Sequence, residues 1–383
     1  MRFIAVLALF LLTAPSVLAA DPPVLLEISL NMEMLVRKAI ADRLISGAVV
    51  IVGDSGGPLL QESYGHASAF PEAPPLTGSE IFDIASLTKV VATAPAVMKL
   101  AEQGRLSLVD PVAAWFPEFG GEEWNDLLVM NLLTHTSGLD DISCMEGENT
   151  ESFIARAGQQ KPKGEIGTRF RYADINFIIL GELVHRASGV PLDSFSQASL
   201  YQPMGMRDTT FNPGGGRFVP TLLDERTLLA GRVQDLNARR LGGVAGHAGL
   251  FSTPRDLALF CGMILRSGEG PAARIFNRRT VDQMTAPYFS RGGKVVRGLG
   301  WDIDSPYSSP RGKRFSEMSF GHTGYSGTSI WIDRESDLYV VLLTARTDYR
   351  RTTEFNRLRH EISTLASRIK AREIPELSDL TAR

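Results

Sequence analysis

The sequence predicts an α/β (α+β) fold: an antiparallel sheet flanked by helices, built from both chain ends, with a mostly helical domain inserted between them. Three observations predict it. Strand-like apolar runs gather near the two ends, at Ala48–Val52 and Leu59–Tyr64 and again after Gly298. Between about Pro111 and Tyr288 such runs vanish, and helical segments alternate with Gly- and Pro-rich loops. The 383 residues, 44% hydrophobic and 22% charged, have a globular make-up and are too many for one ordinary core. The expected division is residues 1–20 as an export signal, 21–110 with 289–383 as a discontinuous sheet domain, and 111–288 as the helical insert. A cleft at the seam is where a site is expected.

The elements follow in order. Arg2 precedes an apolar run from Phe3 to Leu12, and Thr13-Ala14-Pro15-Ser16 leads to small residues ending at Ala19-Ala20. A basic start, a short apolar stretch and small residues predict a cleaved signal and an exported protein, periplasmic or extracellular. The run is too short to span a bilayer comfortably. Ser29–Leu44 has helical apolar spacing through Leu35, Val36, Ile40 and Leu44. The strands at Ala48–Val52 and Leu59–Tyr64 flank the turn Gly53-Asp54-Ser55-Gly56-Gly57-Pro58 and make a hairpin. Ile81–Ala85 is short and apolar, and a strong helix runs from Ser86 to Gln103, stopped by Gly104. Helices are expected at Met130–Leu133, Ser152–Ala157, Ile175–Ala187, Leu192–Tyr201, Arg255–Arg266 and Thr280–Met284. Strands return at Leu299–Ile303, Ser319–His322, Thr328–Ile332 and Leu338–Thr344. An amphipathic helix at Thr353–Lys370 closes the fold.

Several function classes are excluded. Forty basic and 43 acidic residues give a net charge of −3, which offers no electrostatic reason to expect nucleic acid. Cys144 and Cys261 lack the spacing of a zinc site and read as two unpaired thiols. There is no His-Glu-x-x-His, no Walker loop and no dinucleotide fingerprint, so no metal or cofactor is expected. Gly53-Asp54-Ser55-Gly56-Gly57-Pro58 matches the string around a trypsin-like nucleophile. Its first histidine, His66, lies downstream, however, and the string is good turn chemistry.

Ser86-Leu87-Thr88-Lys89 opens the strong helix. Residues three apart share a helix face, so Lys89 can reach the Ser86 hydroxyl. Free N–H groups and the positive field at a helix start favour an oxyanion there. The spacing alone is weak; a second copy, Ser367-Arg368-Ile369-Lys370, has no company. Tyr172-Ala173-Asp174, just before the helix at Ile175, and Gly321-His322-Thr323-Gly324, at a C-terminal strand, supply that company for Ser86.

With these motifs the chain resembles the serine β-lactamase and penicillin-binding protein superfamily, in its class C-like branch. Leu132-Leu133-Thr134-His135-Thr136-Ser137-Gly138-Leu139, Tyr201–Asp208 and Gly246–Thr253 resemble it too. The resemblance implies Ser86 as nucleophile, Lys89 and Tyr172 as a coupled acid–base pair, and the N–H groups of Ser86 and Tyr325 as an oxyanion hole. It gives Asp174, His322, Thr323 and Gly324 to substrate binding. His135 and His247 read as structural. Two departures matter. Asp174 stands where the family carries asparagine; a carboxylate cannot donate to a substrate carbonyl, and it either binds Lys89 or caps the next helix. His322 stands in place of a lysine. The resemblance therefore implies an exported serine hydrolase, foremost a D-alanyl-D-alanine carboxypeptidase-like enzyme acting on small or peptide substrates. Its alternatives are a carboxylesterase, a class C-type β-lactamase, or a non-catalytic wall-peptide binder. No stable membrane span is expected in the mature chain.

Overall fold

The computed structural model describes residues 22–222, 227–292 and 295–370. The signal expected at 1–20 lies outside them. Among the described residues, no helix is long and apolar enough to cross a membrane.

The strand Ile45–Asp54 organises the molecule, and every one of its residues is buried. Ala48, Val50 and Val52 join one core with Ile28, Met32 and Val36 of the helix Pro22–Ala41 and with Phe355, Leu358 and Ile362 of the helix Thr352–Ser367. Val49 and Ile51 join the larger core on the opposite face, with Val90, Val97, Phe260 and Trp301. A strand covered on both faces has no polar side, so it reads as a continuous apolar run instead of an alternating one.

Among the described residues the main sheet has eight strands, all antiparallel to their neighbours. The order is Gly57–Gly65, Ile45–Asp54, Leu338–Arg346, Ser329–Asp333, Phe320–Thr323, Asp302–Asp304, Val295–Arg297 and Phe289–Arg291. An N-terminal strand thus lies beside a C-terminal one, with Val49 opposite Leu343 and Gly53 opposite Tyr339. Gly53 is required there, because a Cβ would run into the Tyr339 ring. The string that mimics a protease nucleophile is the hairpin turn. Asp54 Oδ1 accepts the Gly56 N–H at 2.8 Å, and the Ser55 hydroxyl donates to Asp337 at 2.9 Å.

Three sequence expectations are corrected. The middle of the chain is not free of strands: Thr210–Phe211, Leu250–Ser252 and Phe218–Val219 build a small sheet with Ile81–Asp83, and Thr221–Leu222 pairs with Leu228–Leu229. Segments of two or three residues carry no readable periodicity. The C-terminal strands resume before Gly298, at Phe289–Arg291 and Val295–Arg297; Ser290 and Arg291 are exposed, so the first of these lacks an apolar signal. The expected helix Ser86–Gln103 is composite. A 3₁₀ turn at Ala85–Leu87 leads into a π-helical turn at Lys89–Thr93, then an α-helix at Ala94–Glu102. Both cysteines are unpaired, and both are buried.

Candidate active site

The chain leaves the small sheet at Ile81–Asp83 and turns at once into the composite helix. Asp83 holds this turn: one carboxylate oxygen accepts the Ala85 N–H at 2.9 Å, the other the Gln234 N–H at 2.8 Å. Burial pushes its carboxyl up to about 6, against those two N–H groups. Ala85 takes a left-handed φ of 47°, which costs an L-residue about 1–2 kcal/mol. Such strain persists where the surroundings over-determine it. The next residue is Ser86.

Lys89 is fully buried. Its ammonium makes three hydrogen bonds, to Ser86 Oγ at 3.1 Å, Asp174 Oδ1 at 2.7 Å and the His247 carbonyl at 3.0 Å. Burial alone would lower its pKa, but Asp174, with Tyr172, outweighs burial and raises it. Burial raises the Asp174 carboxyl in turn, and the Lys89 ammonium overrides this, holding it below the usual carboxylate range. The two are a salt bridge at neutral pH. Of the two alternatives open for Asp174, the helix cap is not the one adopted. Its side chain caps nothing, and the Ile175 N–H goes to Asp141 Oδ1 at 3.0 Å.

Tyr172 lies in an aromatic stack. Its ring centroid is 4.6 Å from that of His135 and 5.1 Å from that of Tyr307, and Lys89 Nζ sits 5.1 Å from it. Burial raises the phenol, with the Lys89 charge opposing. His135 accepts the Ala173 N–H through Nδ1 at 3.3 Å, so it holds the segment that carries Tyr172 and Asp174. Burial, with the Arg297 and Lys89 charges, keeps its imidazole neutral.

The opposite wall is the end of the strand Phe320–Thr323 and the turn after it. Ser326 donates to the Asp83 carbonyl at 2.7 Å and Thr328 to the Ile84 carbonyl at 3.1 Å, stitching this turn to the serine turn. Gly324 lies so close that a Cβ would strike the Thr328 hydroxyl and the Ile84 carbonyl. His322 Nδ1 is 2.9 Å from the Thr323 carbonyl, which can only accept, so Nδ1 carries the hydrogen and Nε2 is a bare acceptor. Burial, then the Arg297 and Lys89 charges, hold the imidazole well below its ordinary value. His322 therefore brings no positive charge to the place where a lysine would.

Ser86, Tyr172, Asp174, His322, Thr323, Gly324 and Tyr325 line one cleft of about 700 Å³. Lys89 lies beneath it. Sequence reasoning missed several neighbours. Asp235 lines the cleft and bonds His247 Nε2 at 2.8 Å, so His247 is held as a structural group. Asp174, Asp235 and His247 bring their donor atoms within 4.8 Å of one another, a grouping that could hold a metal ion. The Lys89 ammonium already neutralises Asp174 there. Arg346 and Arg359 also line the cleft. Arg359 donates to the Gly324 and Thr328 carbonyls, both at 2.8 Å, and Arg346 to the Tyr325 carbonyl at 3.2 Å. Burial and the Arg346 charge bring the Arg359 pKa down to about 9. A signal for Arg359 was present: it is a charged residue on the apolar stripe of Phe355, Leu358 and Ile362.

The family model described as Beta-lactamase matches residues 32–363. A Bacillus subtilis (strain 168) protein named N-acetylmuramyl-L-alanine amidase is 29% identical over 350 residues, 78% of this chain and 76% of its own. An Escherichia coli (strain K12) protein, provisionally named D-alanyl-D-alanine carboxypeptidase, is 29% identical over 308 residues, 70% of this chain and 69% of its own. The fold is that of a class C beta-lactamase solved in complex with cefoxitin, with a TM-score of 0.73 at 19% identity over 89% of this chain and 98% of that one.

Proposed function

The chain belongs to the beta-lactamase family of serine hydrolases, and on that premise we propose that it is an exported enzyme that cleaves D-alanyl-D-alanine-type peptide ends through an acyl-enzyme on Ser86. One observation carries this reading: the Lys89 ammonium lies 3.1 Å from Ser86 Oγ beneath a cleft. In the form of the site in which the Lys89–Tyr172 pair has lost one proton, Ser86 Oγ attacks the substrate carbonyl as its proton moves to that pair. The oxyanion faces the N–H groups of Ser86 and Tyr325. The C–N bond breaks, the leaving amine takes the proton from Tyr172, and water then releases the acyl group by the reverse proton path. The sheet part, 21–110 with 289–383, supplies Ser86 and His322, and the insert, 111–288, supplies Tyr172.

Substrate preference follows from charge. With His322 neutral, the positive field for a terminal carboxylate comes from Arg346 and Arg359 on the cleft wall. A name carried by the Escherichia coli relative agrees with such a substrate. The ionised Asp174 leaves the cleft without an amide donor at that position, so β-lactams are acylating inhibitors or slow substrates. The same observation favours a second reading, a carboxylesterase, since an activated ester needs less help at its carbonyl.

The test is intact-mass spectrometry of the mature protein with a labelled penicillin. A stable adduct on Ser86, absent in Ser86→Ala, is expected. Turnover of a nitrophenyl ester with no adduct points to the esterase. Full activity in Ser86→Ala would sink both.

A further inference from the structure

Two rings lie against Tyr172, the residue that passes the proton in the proposed reaction. The His135 centroid is 4.6 Å away at an interplanar angle of 30°, and the Tyr307 centroid 5.1 Å away at 38°. The two neighbours differ in setting. His135 is buried and fixed by the Ala173 N–H. Tyr307 is 44% exposed and lines the cleft together with Ser86 and Tyr172. Of the two rings, Tyr307 is thus the one placed between Tyr172 and open water.

The loop after the strand Asp302–Asp304 is tied down where it carries this ring. The Tyr307 N–H donates to Ser305 Oγ at 3.0 Å, and the Ser305 hydroxyl donates to Asp302 Oδ1 at 2.6 Å. Arg297 donates to the same oxygen at 2.8 Å, and Arg297 and Asp302 are both buried. The Arg297 guanidinium also lies 4.9 Å from the Phe170 ring, which meets the Tyr307 ring edge-on at 6.3 Å. A half-exposed ring is therefore held both through its own backbone and by a second aromatic. Titratable groups reach Tyr172 from every neighbouring element: Lys89 from the composite helix, Asp174 from its own segment, His135 from the turn after the helix Val129–Leu133, His322 from the strand Phe320–Thr323, and Tyr307 itself. Burial raises the Tyr172 phenol most, the Lys89 charge lowers it and the Asp174 charge raises it. Burial keeps His135 and His322 neutral, and it raises the Tyr307 phenol as well. Tyr307 therefore brings cover to Tyr172 without bringing charge.

We infer that Tyr307 is a positioning residue of this site: its ring covers the Tyr172 ring from the cleft, keeps water off it and holds it beside Lys89 and Ser86. The inference rests on the hydrolase reading for what Tyr172 does, and its first readout needs no turnover. In full-length protein labelled with carbon-13 at tyrosine Cζ, the Tyr172 resonance is assigned by its loss in Tyr172→Phe and followed against pH. Tyr307→Ala, at a half-exposed position, is expected to move this titration lower by about half a pH unit or more, because water then solvates the phenolate. Tyr307→Phe keeps the ring and is expected to leave the titration in place. The alkaline rise of kcat for a nitrophenyl ester should move with the titration in Tyr307→Ala, with KM unchanged within about twofold. A titration that stays in place in Tyr307→Ala, or that moves equally in Tyr307→Phe, overturns the inference. So does a rise in KM of about threefold or more with an unmoved pH profile, which would make Tyr307 a platform for the substrate. Failure of the hydrolase reading shows elsewhere, as the lack of a Ser86 adduct and of ester turnover, and the resonance titration still decides whether Tyr307 shields Tyr172.

Discussion

At the residue scale the exchange that shapes this site is aspartate at position 174. An amide there could accept from Lys89 without adding charge. The carboxylate holds Lys89 as an ammonium whose three N–H bonds are committed. The sign of the consequence is direct. Burial disfavours the ammonium, Asp174 favours it, and the net is a raised pKa. Ester turnover should then keep rising with pH into the alkaline range, because Lys89 and Tyr172 are both raised above their ordinary values and the pair loses a proton only there. Asp174→Asn leaves burial unopposed by a full charge. The alkaline limb of kcat/KM should therefore move to lower pH, and turnover at pH 7 should increase several-fold. An unmoved limb would mean that Lys89 is not the group whose proton limits the rate. The residue types here were readable because three separated motifs fell in order. Asp235 and Arg346 were not, because isolated charged residues have no local pattern that distinguishes a cleft wall from a solvated surface; Arg359 carried only its place on an apolar stripe.

At the element scale the site depends on how loops are tied to the composite helix. Thr93 donates to the Gly246 carbonyl at 2.6 Å, Lys89 to the His247 carbonyl at 3.0 Å, and Thr88 accepts the Leu250 N–H at 3.1 Å. The string Gly246–Leu250 is thus a brace along one turn of the helix that carries Ser86. Gly246 must be glycine, since a Cβ would collide with the Phe177 carbonyl in the helix Ile175–Ser188. Gly246→Ala should cost about 1–3 kcal/mol, read as a lower urea midpoint, through forced movement of well-packed backbone. Its ester turnover should fall as well, because the brace touches Lys89. The sequence marked the string as characteristic without saying what it braces, since Thr88, Lys89 and Thr93 lie more than a hundred positions away in the chain. Long helices and long strands were legible from their apolar spacing. The strands Thr210–Phe211 and Phe218–Val219 escaped because two residues define no period.

At the scale of the whole molecule, chain ends meet in the sheet and in the layer of terminal helices. Met32 of the helix Pro22–Ala41 is fully buried in the same core as Phe355 and Ile362 of the helix Thr352–Ser367. Met32→Ala should cost about 2–5 kcal/mol of unfolding free energy, although it is remote from the cleft. Calorimetry or urea titration checks the loss; a stability unchanged within error would show that the two terminal helices are not one core with the sheet. The sequence by itself determined the fold class, the order of the main elements and the residue types proposed for acyl transfer, because periodicity and short motifs are local properties of the chain. The tertiary structure alone decided that Asp174 binds Lys89 instead of capping a helix, and that His322 is neutral. It also decided that Arg346 and Arg359 border the cleft and that the Tyr307 ring lies against Tyr172. Each of these depends on burial and on distances between segments far apart in the chain, and neither quantity exists until the two ends of the chain close the sheet.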